Sequence, residues 1–143
     1  MKKLNIYFIH SDTSNYNDLL YLPVLSSNIL SHHHLMFPNS EENKEIYYKD
    51  MINKADIIVV ELTDPDVTFN MELKQAIVSG KPILALAQKS KGFDQRYQSL
   101  LKNVIGYNNK EELKFFIETF AKSYESGENL NSKDSTVVLG MLN

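Results

Sequence analysis

The residues best placed for chemistry are two carboxylates, Asp66 and Glu72, which follow an apolar run at residues 56–62. That run is typical of a buried strand, and Glu72 falls in the first turn of a helix predicted over residues 69–79. The positive end of a helix dipole favours the ionised carboxylate that a nucleophile requires. Tyr7 lies late in an earlier predicted strand, where its phenol can donate a hydrogen bond to such a carboxylate. The alternative is a purely structural role, since acidic residues are common at helix starts and in turns.

Apolar runs alternate with helical patterns along the chain, and this order predicts a parallel sheet. The predicted strands are residues 4–9, 33–37, 56–62, 82–87 and 104–107. The predicted helices are residues 17–31, 41–54, 69–79, 93–102 and 109–124, the first disturbed by Pro23 and the third ended by Gly80. The pattern indicates a doubly wound, flavodoxin-like α/β fold with about five strands and helices on both faces. Ligands of such folds bind beyond the carboxyl ends of the strands, here just after Ile9, Leu62 and Ala87.

The length of 143 residues fits one domain. We expect an α/β domain over residues 1–124 and a C-terminal tail over residues 125–143, mobile or docked on a neighbouring subunit. The net charge of −3 argues against a nucleic-acid partner, because such proteins usually carry a basic excess. No apolar run is long enough for a signal peptide or a membrane span, so we expect a cytoplasmic protein without a membrane partner.

Glycine, cysteine and histidine usage excludes several kinds of site. The first glycine is Gly80, so the turn after the first strand contains neither a dinucleotide fingerprint nor a P-loop. The chain has no cysteine, which excludes thiol catalysis and disulfide scaffolds. The consecutive residues His32, His33 and His34 alternate between the two faces of a strand, so they do not converge on a metal ion. We therefore expect neither a metal site nor a cofactor.

Two motifs resemble the nucleoside 2-deoxyribosyltransferases and their relatives, the deoxynucleoside 5′-monophosphate N-glycosidases. The family pattern is an aspartate six residues before a nucleophilic glutamate, on a helix that ends in Gly-Lys, together with a first strand whose tyrosine holds the nucleophile. The residues that match it are Ile6-Tyr7-Phe8, Asp66 to Leu73, Ala76 and Gly80-Lys81. The resemblance covers residues 4–9 and 48–87, with a looser similarity after residue 93.

The resemblance implies a double displacement at an anomeric carbon, as in retaining glycosidases. Glu72 would attack C1′ of a 2-deoxyribosyl group, expel the base and form a covalent glycosyl-enzyme, and water or a second base would then take the sugar. Asp66 would bind sugar hydroxyls or assist proton transfer, and Tyr7 would hold the nucleophile. The implied ligand is a nucleoside or nucleotide, and the implied assembly is a homodimer or a larger homo-oligomer.

Several positions depart from the family pattern. The turn after the first strand contains His10 and Ser11 where the family usually has glycines. Thr68 and Asn70 also replace family glycines, and Tyr48 stands at the position of the family's base-protonating aspartate. In this family a partner chain usually contributes a residue to the site. Ser99 of this chain matches that residue. The expected substrate-binding residues are His10, Ser11, Tyr48, Asn70 and Ser99.

Two other functions stay open. The opening Phe8-Ile9-His10-Ser11 and the segment around Glu72 resemble, more faintly, TIR-type domains, some of which cleave the nicotinamide glycosidic bond of NAD with a glutamate. The tryptophan motif often found near that glutamate is missing. The other alternative is a non-catalytic nucleotide-binding or interaction module, which Tyr48, Thr68 and Asn70 favour. Release of free base from a substrate panel distinguishes these alternatives.

Overall fold

The computed structural model describes residues 2–40 and 46–125. Within these residues a single parallel sheet is formed by β1 (Asn5–Ile9), β2 (His34–Met36), β3 (Ile57–Glu61), β4 (Ile83–Gln88) and β5 (Val104–Tyr107). The strand order is β2-β1-β3-β4-β5. This is the flavodoxin-like arrangement, so the predicted fold class is confirmed.

Helices cover both faces of the sheet. They are α1 (Leu22–Leu25), α2 (Tyr48–Lys54), α3 (Val67–Ser79), α4 (Gln95–Leu101) and α5 (Lys110–Glu125). A π-helical turn, Asn17–Tyr21, leads into α1, and a 3₁₀ turn, Leu30–His32, precedes β2. Buried side chains of α1 and α5 form one core against the sheet, whereas those of α2 and α3 form a second core on the opposite face. No helix among the described residues combines the length and apolarity needed to cross a bilayer.

The central strand β3 assigns its side chains alternately to the two cores. Ile57 and Val59 enter the core under α1 and α5, whereas Ile58 and Val60 enter the core under α2 and α3. Alternation continues to the end of the strand, so Glu61 lies on the α1–α5 face. The carboxyl end of β3 therefore places the carboxylate of Glu61 on the face opposite to α2 and α3.

The helix predicted over residues 17–31 is divided in the structure, and α1 ends at Leu25. Local side chains explain the interruption. The hydroxyl of Ser26 donates to the carbonyl of Pro23 over 2.7 Å, and the Ser27 hydroxyl accepts from the N–H of Leu30 over 3.1 Å. Serine hydroxyls that bond nearby backbone groups compete with helical hydrogen bonds.

The helix predicted over residues 41–54 begins at Tyr48 within the described residues, after an extended Tyr47 with ψ 140°. The part of this prediction at residues 41–45 lies outside the described residues, as does the predicted tail from residue 126 onward. At the other end of the chain, α5 continues one residue beyond its predicted end, to Glu125.

Helix α3, which carries the candidate nucleophile, has clear signals at both ends. Asp66 caps its start by accepting the N–H of Phe69 over 2.8 Å, so the helix begins at Val67 and not at residue 69. Gly80 ends it in the left-handed conformation with φ 72°, as the sequence predicts. Asp66 therefore lies where α3 begins, at the carboxyl edge of the sheet.

Candidate active site

Tyr7 and Glu72 form a buried pair. The Tyr7 hydroxyl donates a hydrogen bond to Oε1 of Glu72, across 65 positions of sequence. Tyr7 is fully buried on β1 and Glu72 is only 6% exposed on α3. The pair forms because β1 directs Tyr7 into the core on which α3 packs. The contact proposed from sequence between this phenol and this carboxylate is therefore present.

The ionisation of Glu72 differs from the sequence-based expectation. Burial raises its pKa to about 7, and the negative charges of Asp12 and Asp66 act in the same direction, while the hydrogen bond from Tyr7 lowers it. The expectation that the helix dipole favours the anion is wrong, because α3 begins at Val67 and Glu72 lies in its second turn. The dipole effect falls off within the first turn, so desolvation dominates. Glu72 is consequently about half ionised at neutral pH.

The phenol of Tyr7 is a permanent donor in this pair. Burial raises its pKa far above the ordinary value, and the neighbouring charge of Glu72 raises it further. Tyr7 therefore keeps its proton at any pH at which the protein works. Its role in the pair is to orient the carboxylate and stabilise its ionised form, since a hydrogen bond to the charged form favours that form.

Asp66 links the turn after β1 to the start of α3. Its Oδ1 accepts the N–H of Phe69, and its Oδ2 accepts the Ser11 hydroxyl over 3.0 Å and the Asp12 N–H over 3.1 Å. Burial alone would raise the pKa of Asp66, but these hydrogen bonds outweigh it and lower the pKa. Asp66 is thus ionised at neutral pH, and both of its oxygens are engaged by the protein.

His10 and Ser11 are the first residues of the turn that follows β1, and both are buried. The His10 ring lies 2.6 Å by Nε2 from the Tyr21 hydroxyl and 3.1 Å by Nδ1 from the Ser11 carbonyl, and it stacks on Tyr16. A carbonyl only accepts, so Nδ1 carries the proton and Nε2 accepts from Tyr21. Burial lowers the pKa of His10, which is therefore neutral. Both side chains shape the turn, and their contact with a ligand stays a prediction.

The remaining predicted residues lie on three helices, α2, α3 and α4. Tyr48 is half-buried at the start of α2, and its pKa is raised by its hydrogen bond with Tyr47, by burial and by the negative charge of Glu72. Asn70 is exposed on α3 and accepts the Tyr97 hydroxyl over 2.7 Å. It lines an apolar groove of about 480 Å³ between α3 and α4. Ser99 is exposed on α4.

A second buried carboxylate lies at the same edge on the opposite face of the sheet. Glu61 is 1% exposed and accepts the Tyr107 hydroxyl over 2.5 Å, and it also accepts the N–H and the hydroxyl of Thr63 over 2.8 Å each. Burial raises its pKa despite these donors. The sequence analysis did not identify Glu61. The signal that indicates it is a charged residue at the end of a strand whose other residues are apolar.

The geometry supports nucleophilic chemistry at Glu72. The carboxylate is desolvated, is oriented by a neutral phenol, and has a pKa close to neutrality, which is a combination typical of catalytic groups. Among the described residues no group of three His, Asp or Glu side chains is arranged to hold a metal ion. Glu72 is a buried carboxylate oriented by one hydrogen bond, from Tyr7.

Burial of Glu72 predicts a specific dependence of stability on pH. In the unfolded chain the carboxyl ionises near pH 4.5, whereas the folded protein keeps the proton until about pH 7. Between these values the folded state binds more protons, so the free energy of unfolding falls as pH rises. We expect Glu72→Gln to gain about 3 kcal/mol relative to the parent across this interval. Urea unfolding of both proteins across this pH range measures the gain, and a difference that is independent of pH would contradict the assignment.

No protein-family model matches this chain, and no curated protein matches it. Solved structures do match its fold. A CMP N-glycosidase of Clostridium botulinum, BcmB, has a TM-score of 0.57 at 14% identity, over 79% of this chain and 97% of that chain. A conserved protein from Enterococcus faecalis V583 also has a TM-score of 0.57, at 18% identity, over 80% of this chain and 96% of that chain. At these identities the likeness establishes a shared fold.

Proposed function

We propose that this protein cleaves the N-glycosidic bond of a nucleoside or nucleotide, with Glu72 as the nucleophile. The observation that carries the proposal is the buried pair of Tyr7, on β1, and Glu72, on α3, the helix that begins at the carboxyl end of the sheet. Parallel α/β sheets bind their ligands at this edge. The shared fold with a CMP N-glycosidase supports a nucleotide-like ligand, at the level of the fold.

The proposed reaction proceeds in two displacements. A carboxylate oxygen of Glu72 attacks C1′, and the bond between C1′ and the base nitrogen breaks with its electron pair leaving on the base. We assign the proton that the base takes up to the phenol of Tyr48, which stands at the position of the base-protonating aspartate in the family that the sequence resembles. Water or the N–H group of a second base then attacks C1′ and returns a proton to the Tyr48 phenolate, and Glu72 leaves as the carboxylate. Either acceptor gives a balanced reaction, so hydrolysis and 2-deoxyribosyl transfer are both included.

The ionisation of Glu72 determines how the reaction depends on pH. Only the carboxylate is nucleophilic, and the pKa of Glu72 is about 7. Under this proposal kcat/KM rises with pH through neutrality and reaches a plateau above it, because kcat/KM reports the ionisations of the free enzyme. Asp66, already ionised, is proposed to contact sugar hydroxyls and to fix the start of α3.

Contacts of the ligand with His10, Ser11 and Asn70 stay predictions. The contact of Ser99, which a partner subunit would contribute, also stays a prediction. The expected homo-oligomer and the expected cytoplasmic location stay predictions as well.

A substrate panel tests the proposed function. The purified protein is incubated with deoxynucleosides, their 5′-monophosphates, CMP and NAD, and free base is followed by chromatography. Release from a nucleoside or nucleotide that is lost in Glu72→Gln supports the proposal. Release only from NAD would favour the TIR-like alternative, and binding without release would favour the non-catalytic module.

A further inference from the structure

The groove between α3 and α4 is apolar and open to solvent. Its volume is about 480 Å³, and its apolar wall consists of Leu73, Ile77, Val78 and Leu100. Val78 is 71% exposed and Leu100 is 56% exposed, so both present apolar surface that a bound molecule can cover. A concave site of this volume with a mainly apolar lining is typical of small-molecule sites.

Tyr97 joins the two walls of this groove. Its hydroxyl on α4 donates to Oδ1 of Asn70 on α3 over 2.7 Å. Its ring meets the ring of Phe69 edge-on, with 6.0 Å between the ring centroids, and Phe69 is fully buried in the core. The groove is therefore held in shape by the protein itself. A ligand that enters a preformed site loses less binding free energy to the ordering of side chains.

The charge of the groove is positive. Two cations, Lys74 and Arg96, line it, and none of its lining residues is acidic. Arg96 is held by Asp94, whose carboxylate accepts from Nε over 3.1 Å and from Nη2 over 2.8 Å. The exposed ammonium group of Lys74 makes no hydrogen bond or ion pair with any residue that the structure describes. An apolar wall beside one uncompensated cation complements a molecule that joins an aliphatic chain to a single anionic group.

The length of the groove indicates how long that chain is. Asn70 and Val78 both line it and lie eight positions apart on α3, which corresponds to about 12 Å along the helix. An extended aliphatic chain of medium length spans this distance. A second copy of the protein fits less well, because the same surface of that copy offers no free carboxylate to Lys74: Asp94 already pairs with Arg96.

We propose that the groove between α3 and α4 binds an aliphatic carboxylate of medium chain length. The chain lies against Ile77, Val78 and Leu100, and the carboxylate pairs with the ammonium group of Lys74. The lining of this groove includes neither Tyr7 nor Glu72. The proposed ligand site is therefore separate from the candidate active site, and its test does not depend on base release.

Titration calorimetry of the full chain with three probes tests the chemistry of the ligand. The probes are decanoate, octanoate and the decyltrimethylammonium cation, each kept below the concentration at which it forms micelles. We expect one decanoate to bind per chain, and octanoate, which is two methylene groups shorter, to bind about tenfold more weakly. The cation has the same chain and the opposite charge, and is expected to bind at least about tenfold more weakly than decanoate. No binding of decanoate, or equal binding of the cation, would overturn the proposal.

Two pairs of variants test the position of the ligand. Lys74→Gln is expected to weaken decanoate binding about five- to tenfold at low ionic strength, with a smaller effect in high salt. Its control, Lys122→Gln, removes an exposed cation from α5 on the opposite face and is expected to change nothing. Leu100→Asp is expected to weaken binding at least about tenfold. Its control is Leu25→Asp on α1, since Leu25 is 57% exposed and Leu100 is 56% exposed.

Circular dichroism checks that each variant is folded, and unchanged decanoate affinity in a folded Lys74→Gln or Leu100→Asp variant would overturn the proposal. Two further results would assign the groove to another occupant. An oligomer that dissociates in Leu100→Asp, in a parent that does not bind decanoate, would assign it to a second copy of the chain. Binding to vesicles of phosphatidylcholine and phosphatidylglycerol, again without binding of decanoate, would assign it to a lipid surface. Either result overturns the proposal.

Discussion

Glu72→Gln will reduce the rate of base release by at least about 10⁴-fold, because the amide cannot form the glycosyl-enzyme. Glutamine has almost the volume of glutamate and still accepts the Tyr7 hydroxyl, so the core around α3 is preserved. The loss is expected in kcat, measured under saturating substrate above pH 7. The variant is also expected to be more stable than the parent at that pH, so misfolding does not explain the loss.

The matched control for this substitution is Glu61→Gln. Glu61 is also a buried carboxylate that accepts a tyrosine hydroxyl at the carboxyl end of the sheet, but it lies on the α1–α5 face. We expect base release to persist in Glu61→Gln. Equal losses in the two variants would show that removing a buried charge disturbs the sheet in general, and would remove the case for Glu72 as nucleophile.

Tyr7→Phe has the second largest expected effect, a fall in kcat of about 10- to 100-fold, the equivalent of losing one hydrogen bond to a charged group. The phenyl ring keeps the packing of the fully buried Tyr7 side chain in the core under α2 and α3. The hydrogen bond from Tyr7 lowers the pKa of Glu72, so its removal moves that pKa further above 7. The pH profile of kcat/KM should therefore shift to higher pH, which a loss of stability alone does not produce.

Tyr107→Phe controls for the loss of a buried phenol. Tyr107 is 2% exposed and donates to Glu61 over 2.5 Å, so both substitutions remove a hydrogen bond between a tyrosine and a buried carboxylate. Each is expected to lower the free energy of unfolding by about 1–3 kcal/mol. The shift of the pH profile should occur only in Tyr7→Phe, and a pH profile that does not move in Tyr7→Phe would contradict the proposed role of this phenol.

The fold was accessible from sequence because local patterns and long-range packing agree. The apolar run at residues 104–107 forms a strand with the predicted bounds, and Gly80 ends α3 in the conformation that glycine favours. The alternation of strands and helices then permits few topologies, because parallel strands need crossover connections. Elements with competing local signals were less predictable, as the division of residues 17–31 at Ser26 and Ser27 illustrates.

The site was only partly predictable, because its properties depend on burial and on contacts between distant segments. The pairing of Tyr7 with Glu72 was predicted, since both positions lie near one edge of one sheet face. The direction of the Glu72 pKa shift was not, because helix position suggests a dipole effect while desolvation decides the outcome. The contact of Asp12 with Asp66 joins two turns, and no periodic pattern in the sequence reports it.

The most direct test of the central claim is to trap the covalent intermediate. The protein is mixed with a cleaved substrate, quenched rapidly in acid and examined by intact-protein and peptide mass spectrometry. The account predicts an added mass of one glycosyl group on the peptide that contains Glu72, absent from Glu72→Gln. Base release without any adduct at this residue, or an adduct on another side chain, would contradict it.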